Sequence, residues 1–441
     1  MQNSNIKVFI STLGCKVNQC DSAAMAESLK NSGYEISSSA DQADICIVNT
    51  CVVTHKTEAQ SRQQIRKCLK SSSGGRVIAA GCYAQKSAAD LENISERVMV
   101  LGNREKRDIV RYVNLFLTTG KAQRCVGDIM LEKRFSTPAN PAFMDRTRAF
   151  LKVQDGCNAR CAYCIVPRVR GKSRSLSPEA FVSRIHAFAD QGFKEVVLTG
   201  IHLGAYGLDL VPQTSLLAVL EKLELDDGLS GMRIRISSFE PKEFSNDLID
   251  FISRSERICP HLHISLQSGD AEILKRMRRP YTPGFFKDLC RKLSAKLPGI
   301  NIGIDVIAGF PGETEDCFEN TYDLITGLPC TYLHVFPYSR REGTDAAELD
   351  GQVPDDVKKK RVQKLIALSS QKKAAYYSRY LDREVAVLVE GKRDKRSGML
   401  RGFSRNYIPV LFEGGDSLMG TEVPVHISRV GGGVAGGELR R

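Results

Sequence analysis

The sequence has no tryptophan, only seven histidines among 441 residues, and no apolar run long enough to cross a membrane. The absence of tryptophan excludes nothing, but the lack of a long apolar run excludes a membrane-spanning helix. Because MQNSNIKVFI leads directly into a strand typical of a protein core, we expect no signal peptide and a cytoplasmic location. Thiols stay reduced there, so the 14 cysteines favour metal binding or catalysis over disulfide bonds.

The densest group of cysteines lacks a fourth ligand. Cys157, Cys161 and Cys164 lie in GCNARCAYC with the spacing C-x3-C-x2-C. A structural zinc site normally uses four ligands, often two C-x2-C pairs, whereas here there is one such pair and the next histidine, His186, lies in a helix-like run. Three thiolates on an iron–sulfur cubane would leave one iron open to a substrate or cofactor. The spacing therefore favours such a cluster.

Charge and length limit the classes of protein further. Lysine and arginine number 63 against 51 acidic residues, which gives a formal charge of +12. This excess suggests a polyanionic partner, nucleic acid first, although an ordinary basic enzyme would show the same charge. The length predicts two to four domains.

Residues 1–118 alternate between strand-like and helix-like segments, which is typical of a doubly wound parallel α/β sheet. The predicted strands are KVFIST (7–12), ICIVN (45–49), RVIAAG (76–81) and VMVLGN (98–103). Residues 119–142 lose this periodicity and gain proline, so we interpret them as a linker.

A longer β/α series follows in residues 143–374, and it predicts a partial or full β/α barrel. Its six strand candidates are FLKVQ (150–154), EVVLTG (195–200), MRIRISS (232–238), HLHISLQS (261–268), NIGIDVIAGF (301–310) and YLHVFPYS (332–339). A long basic helix is predicted for residues 354–381.

Residues 375–441 change to short strands broken by glycine, which predicts a small antiparallel β-barrel. Its predicted strands are EVAVLVE (384–390), YIPVLF (407–412) and TEVPVHIS (421–428). We interpret the terminal GGGVAGGELRR as a frayed tail.

Three more cysteines have a common position in the amino-terminal sheet. Cys15 follows KVFISTLG, Cys51 follows ICIVNT and Cys82 follows RVIAAG. Each lies just past the carboxyl end of a predicted strand, where an open parallel sheet forms its ligand crevice. We therefore expect these cysteines to converge on a second three-thiolate site, with buried structural cysteines as the alternative.

These segments resemble a known family. GCNARCAYC is similar to the cysteine loop of radical S-adenosyl-L-methionine (SAM) enzymes, and with TLGCKVNQCDS, IVNTCVV and AAGCYAQ it resembles the radical SAM methylthiotransferases. The resemblance covers nearly the whole chain. It implies an amino-terminal methylthiotransferase domain, a radical SAM core and a carboxyl-terminal TRAM domain, which is a small RNA-binding β-barrel. Cys20 departs from the family pattern after NQ, without replacing Cys15.

TLGCKVNQ, ISSFEP and HVFPYSRREGT most resemble the branch that acts on N6-threonylcarbamoyladenosine at position 37 of tRNA. The resemblance implies two 4Fe–4S clusters, with chemistry at the clusters and no side-chain acid or base. The cluster on Cys157, Cys161 and Cys164 would bind SAM and cleave it after receiving one electron, from a donor such as flavodoxin or ferredoxin.

The second implied cluster, on Cys15, Cys51 and Cys82, would carry the sulfur that enters adenine C2. The product would be 2-methylthio-N6-threonylcarbamoyladenosine. Methylthiolation of N6-isopentenyladenosine in tRNA or of a ribosomal-protein aspartate remains an alternative. An alternative of another class is an RNA-binding iron–sulfur protein without transferase activity.

The resemblance also implies contacts with SAM. Gly200 in LTGIHLGAYG lies in the segment that holds the SAM amino group, and Gly309 in GFPG suits backbone contact with adenine. Gln267 and Asp305 are expected at strand ends, where they would meet ribose or substrate. An ordinary β/α turn would explain the glycines equally well.

Two basic segments are candidates for RNA binding. Residues 390–405 contain six lysines or arginines against two acids, and Phe403 within them could stack on a base. The candidate RNA contacts are Lys392, Arg393, Lys395, Arg396, Arg401 and Arg405. The other segment, RVRGKSRS, contributes Arg168, Arg170, Lys172 and Arg174. A solvated charged loop is the competing interpretation.

Overall fold

The amino-terminal sheet has six strands, two more than the sequence predicts. The structure is a computed structural model that describes residues 6–135 and 147–440. The strands are β1 (Lys7–Thr12), β2 (Glu35–Ser37), β3 (Ile45–Thr50), β4 (Arg76–Gly81), β5 (Val98–Leu101) and β6 (Arg124–Cys125). All pairs are parallel and the order is β2-β1-β3-β4-β5-β6, which is the predicted doubly wound arrangement.

Helices cover both faces of this sheet. They are α1 (Lys16–Asn31), α2 (His55–Ser71), α3 (Cys82–Lys86), α4 (Ala88–Glu92) and α5 (Ile109–Thr119). Strand β3 is buried along its whole length, and successive residues point to the two opposite cores. The described part of the predicted linker is not structureless, because β6 extends the sheet there; residues 136–146 lie outside the described residues.

The central strands form an open parallel arc and one separate antiparallel pair. They are β7 (Ala149–Lys152), β8 (Gln154–Asp155), β9 (Arg174–Ser175), β10 (Glu195–Thr199), β11 (Arg233–Ile236), β12 (Ser238–Phe239), β13 (His261–Gln267), β14 (Asn301–Ala308) and β15 (Tyr332–Pro337). The parallel orders are β7-β10-β11 and β12-β13-β14-β15, and only Ser237 separates β11 from β12. The six predicted strands are therefore confirmed, and within the described ranges β7 and β15 do not pair, so the barrel is partial.

Eight helices accompany these strands. They are α6 (Val166–Arg170), α7 (Pro178–Asp190), α8 (Leu216–Glu224), α9 (Asn246–Arg254), α10 (Ala271–Arg276), α11 (Pro283–Lys296), α12 (Glu315–Gly327) and α13 (Asp355–Ser378). From α7 to α12, each begins at a side chain that accepts a hydrogen bond from the third helical N–H. These caps fix where each helix leaves its loop, and therefore where the strand ends lie. No helix in residues 6–135 or 147–440 combines the length and the apolar character that crossing a membrane requires.

The carboxyl-terminal strands close into a five-stranded barrel. They are β16 (Glu384–Val389), β17 (Leu400–Ser404), β18 (Pro409–Phe412), β19 (Glu422–Gly431) and β20 (Val434–Leu439), in the order β16-β17-β18-β20-β19. The prediction of a frayed tail is wrong, because β20 pairs with both β18 and β19. Gly432 and Gly433, both at positive φ, form the two-residue turn before it. Glycines that suggest disorder in the sequence thus make a hairpin.

Helix α13 joins the partial barrel to the small barrel. It packs on β15, and Tyr376 and Tyr377 near its end are buried in the core of the small barrel. The predicted boundary between residues 374 and 375 therefore falls inside one continuous helix. The small barrel also contacts the amino-terminal ends of the central strands, where Asn301 Nδ2 donates to Asn406 O at 2.8 Å.

A fully buried ion cluster stabilises this contact. Glu195 on β10 accepts from Arg235 at 2.7 and 2.9 Å and lies 2.7 Å from Arg233. Arg233 also pairs with Glu422 of the small barrel at 2.9 Å. Burial raises the pKa of Glu195, but Arg235 and Arg233 outweigh it and lower the value to about 2. The carboxylate is therefore charged at neutral pH and compensates two buried guanidinium groups.

We expect Glu195→Gln to lower the free energy of unfolding by about 3–5 kcal/mol at neutral pH, because it leaves the buried Arg235 without a counter-ion. The folded-state pKa is depressed, so the contribution of Glu195 is present above its ordinary pKa and is lost as pH falls towards about 2. The difference between wild type and variant should therefore shrink at acidic pH. Denaturant unfolding at several pH values measures it.

Asp250→Asn is the matched control, because it removes an acid from an exposed pair with Lys296. We expect no measurable change there, since solvent screens such pairs. Equal losses in the two variants, or a difference that does not vary with pH, would contradict the role given to Glu195.

Candidate functional site

The loop that carries Cys157, Cys161 and Cys164 is closed at its base by the antiparallel pair β8 and β9. Gly156 begins the loop at φ +73°, and a Cβ there would overlap the carbonyl oxygen of Lys172. The Cys157 N–H donates to Gly171 O at 3.0 Å. The loop is therefore a fixed excursion from the carboxyl end of β7.

The three thiols of this loop lie close enough to act on one another. Burial raises the pKa of Cys164 to about 12, and the neighbouring Cys161 and Cys157 add to the rise. All 14 cysteines lie in the described ranges and are free thiols. A half-buried group of thiols gains from a bound cation where one thiolate opposes the ionisation of another, so the donor set fits an iron–sulfur cluster with three protein ligands.

Two charged side chains, which the sequence analysis did not identify, contact the sulfurs of this loop. Arg279 Nη1 donates to Cys161 Sγ at 3.1 Å, and Arg279 also pairs with Glu240. His202 Nδ1 lies 3.4 Å from Cys157 Sγ, and its Nε2 contacts Glu243. His202 lies within LTGIHLGAYG, which the sequence analysis did single out, whereas Arg279 carried no motif signal.

His202 is set up to carry a positive charge. Burial opposes its protonation, but the hydrogen bonds to Cys157 and Glu243 outweigh burial and raise the pKa of His202 to about 10. Together with Arg279, it places positive charge beside the loop sulfurs, which favours thiolates and the cluster they would hold.

The other three cysteines converge as expected. Cys15 precedes the first residue of α1, Cys51 follows β3, and Cys82 is the first residue of α3. Burial raises the pKa of Cys51 to about 11, with further contributions from Cys82 and Cys15. Gly14, at φ +90°, has no room for a side chain, because its Cβ would lie 2.6 Å from Cys51 Sγ. This donor set has the same chemistry as the first.

Asparagines hold the strand ends that carry these thiols. Asn18 Nδ2 donates to Leu13 O at 2.8 Å and to Thr50 O at 3.1 Å, which ties β1 to β3. Asn103 Nδ2 lies 3.6 Å from Cys82 Sγ and donates to Val169 O on α6 at 2.6 Å. Asn103 therefore links the amino-terminal thiols to the helix that follows the other cysteine loop.

One cavity of about 210 Å³, called the upper cavity here, lies between the segments that carry the two cysteine groups. Its walls include Val53 and Thr54, close after Cys51, and Tyr163 and Cys164 of the loop. Arg341, which follows β15, links the barrel side of the cavity to the amino-terminal side. Its Nη1 donates to Val52 O at 3.1 Å and lies 2.8 Å from Glu58 Oε1. The amino-terminal sheet and the barrel thus enclose one space between them.

Of the four residues predicted to contact SAM, two border the upper cavity and two do not. Gln267 ends β13 and borders the upper cavity, and Gly200 follows β10. Asp305 also borders the cavity, but the expectation that it ends a strand is wrong: it lies three residues before the end of β14, between His263 and His334. A Cβ at Gly309 would overlap the side chain of Lys358, so packing against α13 already requires that glycine. The SAM contacts remain predictions.

The predicted RNA contacts differ in their availability. Arg393 lies 2.7 Å from Asp416 and donates to Gly398 O at 2.9 Å, so it holds its own loop. Arg405 pairs with Glu422 at 3.0 Å. The remaining four predicted residues are Lys392, Lys395 and Arg396, which are exposed between β16 and β17, and the half-exposed Arg401.

Phe403 and part of the second basic segment are already engaged. The Phe403 ring stacks on Tyr407 at 4.8 Å, with Arg148 over its face at 4.6 Å, so packing within the protein already uses this ring. Arg170 and Arg174 are buried and cannot serve as a surface for RNA. Their charges instead face acids inside the protein.

Comparison with known proteins matches both halves of this site. The Radical SAM superfamily matches residues 151–325, and the Uncharacterized protein family UPF0004 matches residues 7–102. The radical SAM methyltransferase TsrM from Kitasatospora setae, solved with cobalamin and a [4Fe-4S] cluster, has a similar fold: the TM-score is 0.57 at 15% identity, over 78% of this chain and 77% of that one. Fold and cysteine loop together define a radical SAM enzyme.

Relatives that match nearly the full length of this chain narrow the class of enzyme. The threonylcarbamoyladenosine tRNA methylthiotransferase MtaB of Bacillus subtilis is 40% identical over 95% of this chain and 93% of its own. MtaB of Aquifex aeolicus is 36% identical over 93% and 97%. The tRNA-2-methylthio-N(6)-dimethylallyladenosine synthase of Moorella thermoacetica is 35% identical over 98% and 97%. The chain belongs to the radical SAM tRNA methylthiotransferase family, whose radical SAM core uses a 4Fe–4S cluster and SAM.

We expect Arg279→Gln to lower the reduction potential of the cluster held by Cys157, Cys161 and Cys164. In the wild type, the positive charge of Arg279 and its hydrogen bond to Cys161 both stabilise the reduced, more negative cluster. The variant removes both. An EPR-monitored redox titration of the reconstituted protein measures the midpoint. Arg276→Gln, three residues earlier at the end of α10 and bonded to Asp350 O, is the control and should keep the wild-type value. A potential that is unchanged or higher in Arg279→Gln would contradict this account.

Proposed function

We propose that this protein methylthiolates C2 of N6-threonylcarbamoyladenosine at position 37 of tRNA, giving 2-methylthio-N6-threonylcarbamoyladenosine. The observation that carries the proposal is the presence of two three-cysteine groups on either side of one cavity, which Cys164 borders from the barrel and Val53 and Thr54, close after Cys51, border from the amino-terminal sheet. A single three-thiolate cluster would account for SAM cleavage, and a second site of the same kind supplies a place for the sulfur. Relatives at 36–40% identity with this named activity support the choice of nucleoside.

The protein's own residues hold and orient the reacting groups. Cys157, Cys161 and Cys164 would hold the cluster that binds SAM, and Cys15, Cys51 and Cys82 a second 4Fe–4S cluster. With SAM, these groups supply the radical, the sulfur and the methyl group when they are bound. The side chains position these groups, and no side-chain acid or base is needed.

The dimethylallyl branch is the second candidate function, since relatives of that name are 33–35% identical over most of the chain. Mass spectrometry of tRNA nucleosides from a strain lacking this gene separates the two. Loss of the methylthio form of threonylcarbamoyladenosine supports the proposal, whereas loss of the methylthio form of the dimethylallyl nucleoside contradicts it. We also propose a cytoplasmic location, where tRNA is found, and a flavodoxin or ferredoxin as electron donor.

We further propose four functional segments: a methylthiotransferase domain (1–118), a linker (119–142), the radical SAM core (143–374) and a TRAM domain (375–441). The sheet, the partial barrel and the small barrel support this division. Helix α13 continues through residue 374, so the boundary between the last two segments lies within one helix.

Replacing Cys15, Cys51 and Cys82 together with alanine should remove about half of the iron and abolish the methylthio product. Cleavage of SAM to 5′-deoxyadenosine should continue, because it needs only the loop cluster. Iron analysis and product chromatography of the reconstituted protein measure both. The matched triple variant of Cys157, Cys161 and Cys164 should also keep about half of the iron but lose SAM cleavage. Complete loss of iron in either variant would point to one shared site.

Lys395→Ala combined with Arg396→Ala should weaken tRNA binding at low salt. The slope of log affinity against log salt concentration should become shallower by about 1–2, because the loss of two phosphate contacts lowers the number of counterions released. We leave Arg393 intact because it holds the loop. Binding titrations at several salt concentrations measure the slope, and Lys359→Ala with Lys360→Ala on exposed α13 is the control. If the two double variants bind alike, the RNA surface lies elsewhere, with Arg168 and Lys172 the next exposed candidates.

A further inference from the structure

A second cavity of about 360 Å³, called the lower cavity here, lies at the amino-terminal ends of the barrel strands. His261, Asn301 and Tyr332, which begin β13, β14 and β15, border it. Phe403 and Tyr407 of the small barrel form another part of its wall. The cavity is therefore enclosed jointly by the partial barrel and the small barrel.

The lower cavity carries uncompensated positive charge. Lys16 borders it and has no hydrogen-bond or ion-pair partner among the residues that the structure describes. Lys373 lies over the Tyr332 ring at 5.7 Å, whereas Arg235 is neutralised by Glu195. Lys16 lies in the wall of the cavity, where its side chain is exposed to water. An unpaired ammonium in such a place favours an anionic ligand.

His261, in the wall of the cavity, is subject to the same positive charge. Burial lowers the pKa of His261 well below its usual value, and the charges of Arg235, His263 and Lys16 lower it further. These groups are therefore close enough to act on one imidazole. A ligand that brings negative charge into this space would be stabilised by all of them.

A metal ion is the competing occupant. His263, Asp305 and His334 place three possible ligand atoms within 4.8 Å of one another. However, Asp305 is the only carboxylate of this group and already lies 2.8 Å from His263 Nε2 and 3.5 Å from His334 Nδ1. A divalent cation there would also face the repulsion of Lys16 and Lys373. The charge around the cavity therefore favours an anion.

Asp305 and its two histidine partners lie between the two cavities. Its side chain borders the upper cavity, and its partners His263 and His334 border the lower one. Lys16 directly follows Cys15, so the unpaired ammonium is attached to the amino-terminal cysteine group. A substrate that reacts between the two cysteine groups can therefore extend a substituent towards Lys16.

We propose that the lower cavity binds the N6-threonylcarbamoyl group of the substrate adenosine, and that Lys16 pairs with its carboxylate. This inference rests on the proposed function. A dimethylallyl group is a hydrocarbon and would displace water from the Lys16 ammonium without supplying a counter-ion. The same contact therefore selects the threonylcarbamoyl substrate over the dimethylallyl one.

The test uses the reconstituted full-length enzyme and two anticodon stem-loop RNAs. One carries N6-threonylcarbamoyladenosine, and the other carries its threonine amide, which has the same shape without the charge. Wild type should methylthiolate the acid with a kcat/KM at least about tenfold above that of the amide, which is the scale of a hydrogen-bonded charge pair. In Lys16→Met that preference should fall to about one, and Lys16→Arg should keep part of it.

Lys360→Met, an exposed lysine of α13, is the matched control and should keep the wild-type preference. Iron content and SAM cleavage without RNA should be unchanged in Lys16→Met, which separates loss of recognition from damage next to Cys15. Equal use of acid and amide by wild type, or an unchanged preference in Lys16→Met, would overturn the inference while leaving the proposed function standing. Failure of wild type to methylthiolate the acid at all would instead overturn the proposed function.

Discussion

The site depends on one buried carboxylate, Asp21 on α1. It lies 2.6 Å from both Lys106 of the amino-terminal sheet and Lys152 of β7, and 3.1 Å from Arg170 of α6. Burial raises the pKa of Asp21, but these three cations outweigh it and hold the value well below its usual range. A single carboxylate therefore joins three parts of the chain. Removing it would leave the buried Lys106 without a counter-ion, and Lys152 and Arg170 with Asp155 alone.

Arg170 extends this network to the thiols. It donates to both carboxylate oxygens of Asp155, at 3.1 and 3.2 Å, and to Asn18, which ties the strand ends near Cys15. Burial opposes its charge, yet neighbouring Cys82 and Asp155 outweigh burial and raise the pKa of Arg170. The relative position of the two cysteine groups is thus set by buried ion pairs, which tolerate little displacement because each ion has been removed from water.

Much of this arrangement follows from the sequence, for identifiable physical reasons. Parallel strands bring their carboxyl ends together, so residues that end successive strands, such as Cys51 and Cys82, can be placed in one crevice from periodicity alone. Arg279 and Lys16 could not be placed in this way, because their contacts arise only when separate parts of the chain dock. The hairpin into β20 was missed for a local reason, since two glycines at positive φ look like a flexible tail in the sequence.

Helix α13 gives the small barrel a fixed distance from the site. Its 24 residues span about 36 Å as one rigid rod, packed on β15 near the upper cavity and anchored by Tyr376 and Tyr377 in the other core. An RNA that contacts both the small barrel and the upper cavity therefore meets two surfaces held in one fixed relation, and it gives up its orientational freedom only once.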